Sequence, residues 1–174
     1  MAHELYTRTN QKIYFAGLAL EALARAEEGR AMNAQALVQA GRESALFHLY
    51  GALLGLCHEI AGFYRLPQAG ASRVEQILNR DVLESLAIPE LAELVELAHS
   101  PQTWLAQLLA AYGALLQPPR APRKPKGDVT QPLIEAVNLG EAESQQELGR
   151  EELESWRQNL KALAIRFRDG LNEC

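Results

Sequence analysis

The sequence predicts an all-α fold: a single-domain antiparallel bundle of about six helices around a long central second helix. Three observations predict it. The apolar residues are mainly Leu and Ala, with few β-branched residues, a bias toward helix over strand. Apolar positions recur at steps of three and four, and no alternating strand pattern competes with them. Helix-starting and helix-breaking residues separate these stretches. The 174 residues, 48% hydrophobic and 22% charged, have the size and composition of one domain that can bury a core, and we read 1–174 as that domain.

The first helix is expected from about Glu4 to about Glu28, with Leu5, Ile13, Ala16, Leu20 and Leu23 inward. Gly29 suits its end, and Asn33 can cap the next helix. The second helix covers about Ala34 to Tyr64, and Pro67 and Gly70 mark a turn after it. Ser72 to Glu75 reads as a capping box opening a third helix, with Val74, Ile77, Leu78, Val82 and Leu86 inward. Pro89 suits the first position of a fourth helix, "PELAELVELAH". Ser100 followed by Pro101 predicts a fifth, to about Leu116. Residues 117–128, "QPPRAPRKPKGD", form a proline-rich basic linker that should be extended and solvated. "VTQPLIEAVNLG" after it reads as irregular. The last helix starts near Gln145 or Arg150 and reaches Leu171. Its Leu153, Trp156, Leu160, Leu163, Phe167 and Leu171 form a strong amphipathic stripe.

The formal net charge of −5 gives no general attraction to nucleic acid or to an anionic membrane. Two cysteines are too few for a disulfide framework. The start, "MAHELYTRTNQK", has no basic segment followed by an apolar one, as a secretory signal would. The longest apolar run, Ala45 to Cys57, contains His48 and stops at His58 and Glu59, too short and too polar to span a bilayer. These features lead us to expect a cytoplasmic protein without a membrane segment.

The candidate site lies within "RESALFHLYGALLGLCHEIAGFYR", Arg42 to Arg65. At 100° per residue, Leu46, Tyr50, Leu53, Cys57, Ile60 and Tyr64 form one seam of the second helix. Leu49, Leu56 and Phe63, with Ala45 and Ala52, form another. The third stripe is Gly41, Ser44, His48, Gly51, Gly55, His58 and Gly62. Each interior glycine costs about 0.8–1 kcal/mol against alanine, so something must offset their sum. Close approach of another helix is the reading we favour; room for a ligand or a partner between the two imidazoles is the alternative. His48 and His58 are ten positions apart in sequence, about 15 Å along the axis, so one small metal ion cannot bind both.

Other chemistry is thin. Arg42 and His48 fit the Arg-x(4–6)-His spacing of HEPN ribonucleases, and the chain resembles that family in being a small helical bundle with the pair on a long helix. The resemblance implies RNA cleavage by Arg42 and His48 at a dimer interface. Two features depart from it: Glu43 follows the arginine where that family usually has Asn, Asp or His, and the pair sits on an early helix. Glu96 and His99 make a single Glu-x-x-His spacing, whereas a di-iron bundle needs two, with further glutamates. Cys57 reads as an inert core thiol, and Cys174 is terminal. Arg120, Arg123, Lys124 and Lys126 form a basic cluster with no interleaved aromatic to stack on bases. We read it as solvated linker, or otherwise as a docking segment.

Three stretches, "YTRTNQKIYFAGLALEAL", "FHLYGALLGLCHEI" and "WRQNLKALAIRFRDGLNEC", together resemble a bacterial family of about this length, all-helical and functionally uncharacterised. The resemblance implies one helical domain and supplies no activity or site residues. We therefore expect a non-enzymatic interaction or regulatory protein with a protein partner or a second copy of itself. We expect no cofactor, no metal and no nucleic acid; a HEPN-like RNA-binding protein or ribonuclease using Arg42 and His48 is the alternative.

Overall fold

The computed structural model describes residues 2–81, 87–118 and 148–172, with the backbone alone for 2–4 and 172. Among the described residues there are five α-helices and no strand: α1 (Ala2–Glu28), α2 (Ala34–Phe63), α3 (Pro89–His99), α4 (Trp104–Leu115) and α5 (Arg150–Asn172). Two 3₁₀ turns, Pro67–Gly70 and Val74–Gln76, lie between α2 and α3. The all-α fold read from composition and periodicity is the fold observed. Several expectations lie outside the described residues: Val82 and Leu86, the linker from residue 119 on with Arg120, Arg123, Lys124 and Lys126, the stretch after it, the Gln145 start, and Cys174.

Helix α2 is the centre. It contacts each of the other four helices and both 3₁₀ turns. Its two apolar seams are buried from Ala45 to Ile60. By length and composition it could cross a membrane, but 61% of its most apolar window is buried against the rest of the protein. The expectation fails at Phe63, the last residue of α2, which is 47% exposed although Ile60 and Ala61 in the same turn are buried.

Helix α1 runs antiparallel to α2 along most of its length, and Ile13, Ala16, Leu20 and Leu23 are buried as expected. Leu5 is 38% exposed. It sits near the free end of the hairpin, against the edge of α2 at Gly62. Helix α5 covers α1 and α2 from one side and runs antiparallel to α1. Arg150 pairs with Glu27 at one end of α1 (3.1 Å), and Arg168 bonds Asn10 at the other (2.9 Å). All six residues of its apolar stripe are buried, Trp156 included.

The third helix does not begin at Ser72. Val74–Gln76 forms a 3₁₀ turn, and helix starts again only at Arg80. The Tyr50 hydroxyl explains the difference. It accepts from the Val74 N–H (3.1 Å) and donates to the Glu75 carboxylate (3.0 Å), fixing this segment on α2. A tight turn still brings Val74 and Ile77 to one side, so Val74, Ile77 and Leu78 are buried as the pattern required. The capping-box partners are Arg73 and Gln76: the Arg73 N–H donates to the Gln76 side chain (3.3 Å).

Helix α4 starts later than expected. Thr103 caps it, accepting from the Ala106 N–H (3.3 Å), while its hydroxyl donates back to the Leu97 carbonyl. Ser100 and Pro101 belong to the connecting turn. Asn33 occupies the N-cap of α2 without a side-chain cap bond. Past α2, Arg65 takes a left-handed conformation (φ 54°), and the Leu66 N–H bonds the Ala61 carbonyl (2.8 Å). This is the Schellman closure, with arginine where glycine is usual.

Candidate functional site

The glycine stripe of α2 lies along α1. A Cβ on Gly41 would meet the Leu23 backbone at 3.2 Å, and one on Gly51 would meet the Lys12 stem at 3.3 Å. A Cβ on Gly55 would meet the Thr9 hydroxyl oxygen at 2.6 Å, and one on Gly62 the end of Leu5 at 3.5 Å. As α2 ascends, its contacts descend α1, the register of two antiparallel helices at close approach. Of the stripe, Gly41 and Gly55 are buried, Ser44, His48, Gly51 and His58 are half-buried, and Gly62 is exposed.

The two histidines have different surroundings. His58 donates from Nε2 to the Ala71 carbonyl (2.6 Å), tying α2 to the segment after it. His48 sits edge-on between the rings of Phe15 and Phe47, each 5.4 Å away between centroids. Its Nδ1 is out of contact with water and makes no hydrogen bond. Burial, and then the charge of Lys12, hold the His48 pKa below the ordinary histidine value. Lys12 lies with its ammonium 5.0 Å from the Phe47 ring centroid. Burial and the nearby Arg8 lower the Lys12 pKa in turn.

Arg42 is half-buried on the same helix as His48. Six residues of helix separate the two by about 120° around the axis and about 9 Å along it. Glu96 is exposed, and the His99 Nδ1–H donates to the Val95 carbonyl of its own helix (2.8 Å). Among the described residues no three His, Cys, Asp or Glu side chains are gathered to hold a metal ion. Cys57 is fully buried, and burial, with the Glu75 charge adding to it, pushes its thiol up to about 12. A thiol so placed is protonated at neutral pH and a poor nucleophile.

Two features were not read from the sequence. Glu59, only 3% exposed, receives both arms of the Arg168 guanidinium at 2.8 Å, and that guanidinium lies 4.6 Å from the Tyr6 ring. The available signal was a lone carboxylate inside the apolar run of α2, with a late arginine next to Phe167 on the amphipathic helix. The second is the open arc of α2. Ala40, Glu43 and Phe47 are exposed, and Gly51, Leu54 and His58 are half-buried. Phe47 is 53% exposed at the middle of this arc. Toward the turn that joins α1 and α2, a groove of about 450 Å³ opens between the two helices, lined largely by alanines, among them Ala22, Ala26 and Ala40.

A second groove, about 380 Å³, lies between α1 and α5 and is lined by Asn10, Tyr14, Arg157, Lys161 and Arg168 among others. Glu154 holds Arg157 (2.7 Å) and Glu59 holds Arg168, so the groove carries less positive charge than its cations suggest.

Among known proteins, a family model described as a family of unknown function (DUF6586) matches residues 1–174. No curated protein and no solved structure matches the chain.

Proposed function

The chain belongs to DUF6586, a family of unknown function, and from that premise we propose that it is a non-enzymatic interaction protein of the cytoplasm that binds a protein partner through the open face of α1 and α2. The observation that carries this reading is the open arc of α2, which carries the half-exposed Phe47 and, at Ala40, reaches an alanine-lined groove. Apolar surface gathered on one face is a feature of interaction sites. Two further observations support a role without chemistry. The Cys57 thiol is sealed in the core. His48 lies edge-on to two aromatic rings with its Nδ1 shut away from water. The cytoplasmic part of the reading rests on the burial of α2 and on the absence of a disulfide framework.

Site-specific photocrosslinking tests the reading. A photoreactive phenylalanine at position 47 should give a discrete protein adduct in cells, and the same group at the exposed Glu151 of α5 should not. Equal, diffuse labelling from both positions refutes the interaction face. Incubation of labelled RNA with the wild type and with His48→Ala addresses the HEPN-like alternative. Cleavage lost in the variant would move the assignment to an enzyme.

A further inference from the structure

We propose that the partner on this face is a second copy of the same chain, docked by an antiparallel crossing of α2 on α2 with its two-fold axis at Phe47. The proposal rests on the reading of the open α2 arc as an interaction face and adds the occupant and the register.

The face is complementary to itself. A two-fold axis through Phe47 places each residue of one α2 opposite the residue equally far on the other side of Phe47 in its partner. Gly51 follows Phe47 by one turn, and Glu43 precedes it by the same interval. The Lys12 stem lies against Gly51, and its ammonium sits over the Phe47 ring. The axis therefore carries the Glu43 carboxylate of one copy to Lys12 of the other, twice per dimer. Glu43 is exposed, and the one bond its carboxylate accepts here comes from Gln39 Nε2 of the same helix (2.8 Å), an exposed contact that the pairing can replace.

The next pair along matches in shape. Leu54 follows Phe47 by seven residues and Ala40 precedes it by seven. Ala40 lines the alanine groove, which is open and apolar, and Leu54 is half-buried on the same arc. The crossing sets Leu54 of one copy into the groove of the other. Gly51, without a side chain on this arc, lets the helices approach beside the Phe47 pair. The contact runs from Ala40 to Leu54, about 21 Å of helix. That is small beside a standard interface, so association is weak and depends on concentration.

Sedimentation of the full chain from micromolar to near-millimolar concentration tests the proposal. The expected result is a rise in mass from one chain toward two. Phe47→Glu should keep its helix content by circular dichroism and sediment as a monomer throughout. Glu43→Lys and Lys12→Glu should each weaken the dimer about tenfold or more, and the double reversal should restore it. A wild type that stays monomeric at every concentration overturns the proposal. So does a dimer that survives Phe47→Glu, or a double reversal no better than the single changes. A monomeric wild type whose position-47 crosslink captures a different protein leaves the interaction face standing and removes only the self-pairing.

Discussion

Replacing Gly55 by alanine probes the contact between α1 and α2 at its tightest point. The new Cβ would lie 2.6 Å from the Thr9 hydroxyl oxygen and 3.3 Å from the Thr9 Cα. Thr9 is fully buried, and a β-branched side chain in a helix has few rotamers to escape into. The hydroxyl also reaches the Leu5 carbonyl, at 3.4 Å. Overpacking of this kind costs about 1–3 kcal/mol. Alanine returns about 0.8–1 kcal/mol of helix propensity. The net expectation is a destabilisation of up to about 2 kcal/mol, at about 2–4 °C of Tm per kcal/mol. Gly51, one turn away, is the internal control. Its Cβ would meet methylenes of Lys12 at 3.3–3.4 Å, a stem that can shift, so Gly51→Ala should be neutral or stabilising by up to about 1 kcal/mol. Combining Gly55→Ala with Thr9→Ala removes the clashing oxygen and should recover about 0.5 kcal/mol or more relative to additivity. The assay is urea and thermal unfolding followed by circular dichroism. If Gly55→Ala is as stable as Gly51→Ala, the steric reasoning is wrong.

Arg168→Leu should destabilise by about 3–5 kcal/mol, since it leaves the Glu59 carboxylate buried and unpaired; a loss below about 1 kcal/mol by urea unfolding would mean water reaches Glu59. Trp156→Ala should cost about 3–5 kcal/mol in the same assay, and a small effect would mean α5 is not docked. The lowered pKa of His48 carries a pH dependence. The folded state disfavours the protonated ring, so this contribution to stability is complete above the ordinary value of 6.5 and is lost as pH falls from there through the lower folded pKa. His48→Gln should flatten the stability profile over that range, and an unchanged slope would assign it to other groups.

Helix existence was legible where a long segment carried its own periodicity, whereas the short pattern from Val74 to Leu78 told burial but not helix. The stripe from Leu153 to Leu171 told its helix, its inward face and its burial, because a run of matched positions averages out local exceptions. Helix starts were less legible. Ser100 and Thr103 are both competent caps, and Thr103, which caps, also reaches the Leu97 carbonyl of the preceding helix, a contact that a local pattern does not contain. The turn at Val74 is decided by a hydroxyl 24 residues earlier in the chain, at Tyr50. The α2 stripe was legible as an anomaly, since four glycines in one helix need a reason. Which helix lay against it was not. The exposure of Phe47 was illegible for the same cause: the alternation of apolar and small residues around α2 does not say which arc the other helices leave open.

The pairing of Glu59 with Arg168 spans 109 residues of chain, and this has a meaning in time. During synthesis α2 is complete long before Arg168 exists. Through that interval the Glu59 carboxylate holds water at the surface where α5 will later lie, a hydrated spot in an otherwise apolar seam. It discourages that seam from closing on a stray apolar segment, because burial without a guanidinium is costly. Only the arrival of α5 brings the matching cation, on the helix that also buries Trp156 and Phe167. A chain halted before α5 is expected to keep this charge hydrated, because burying it without the guanidinium is costly.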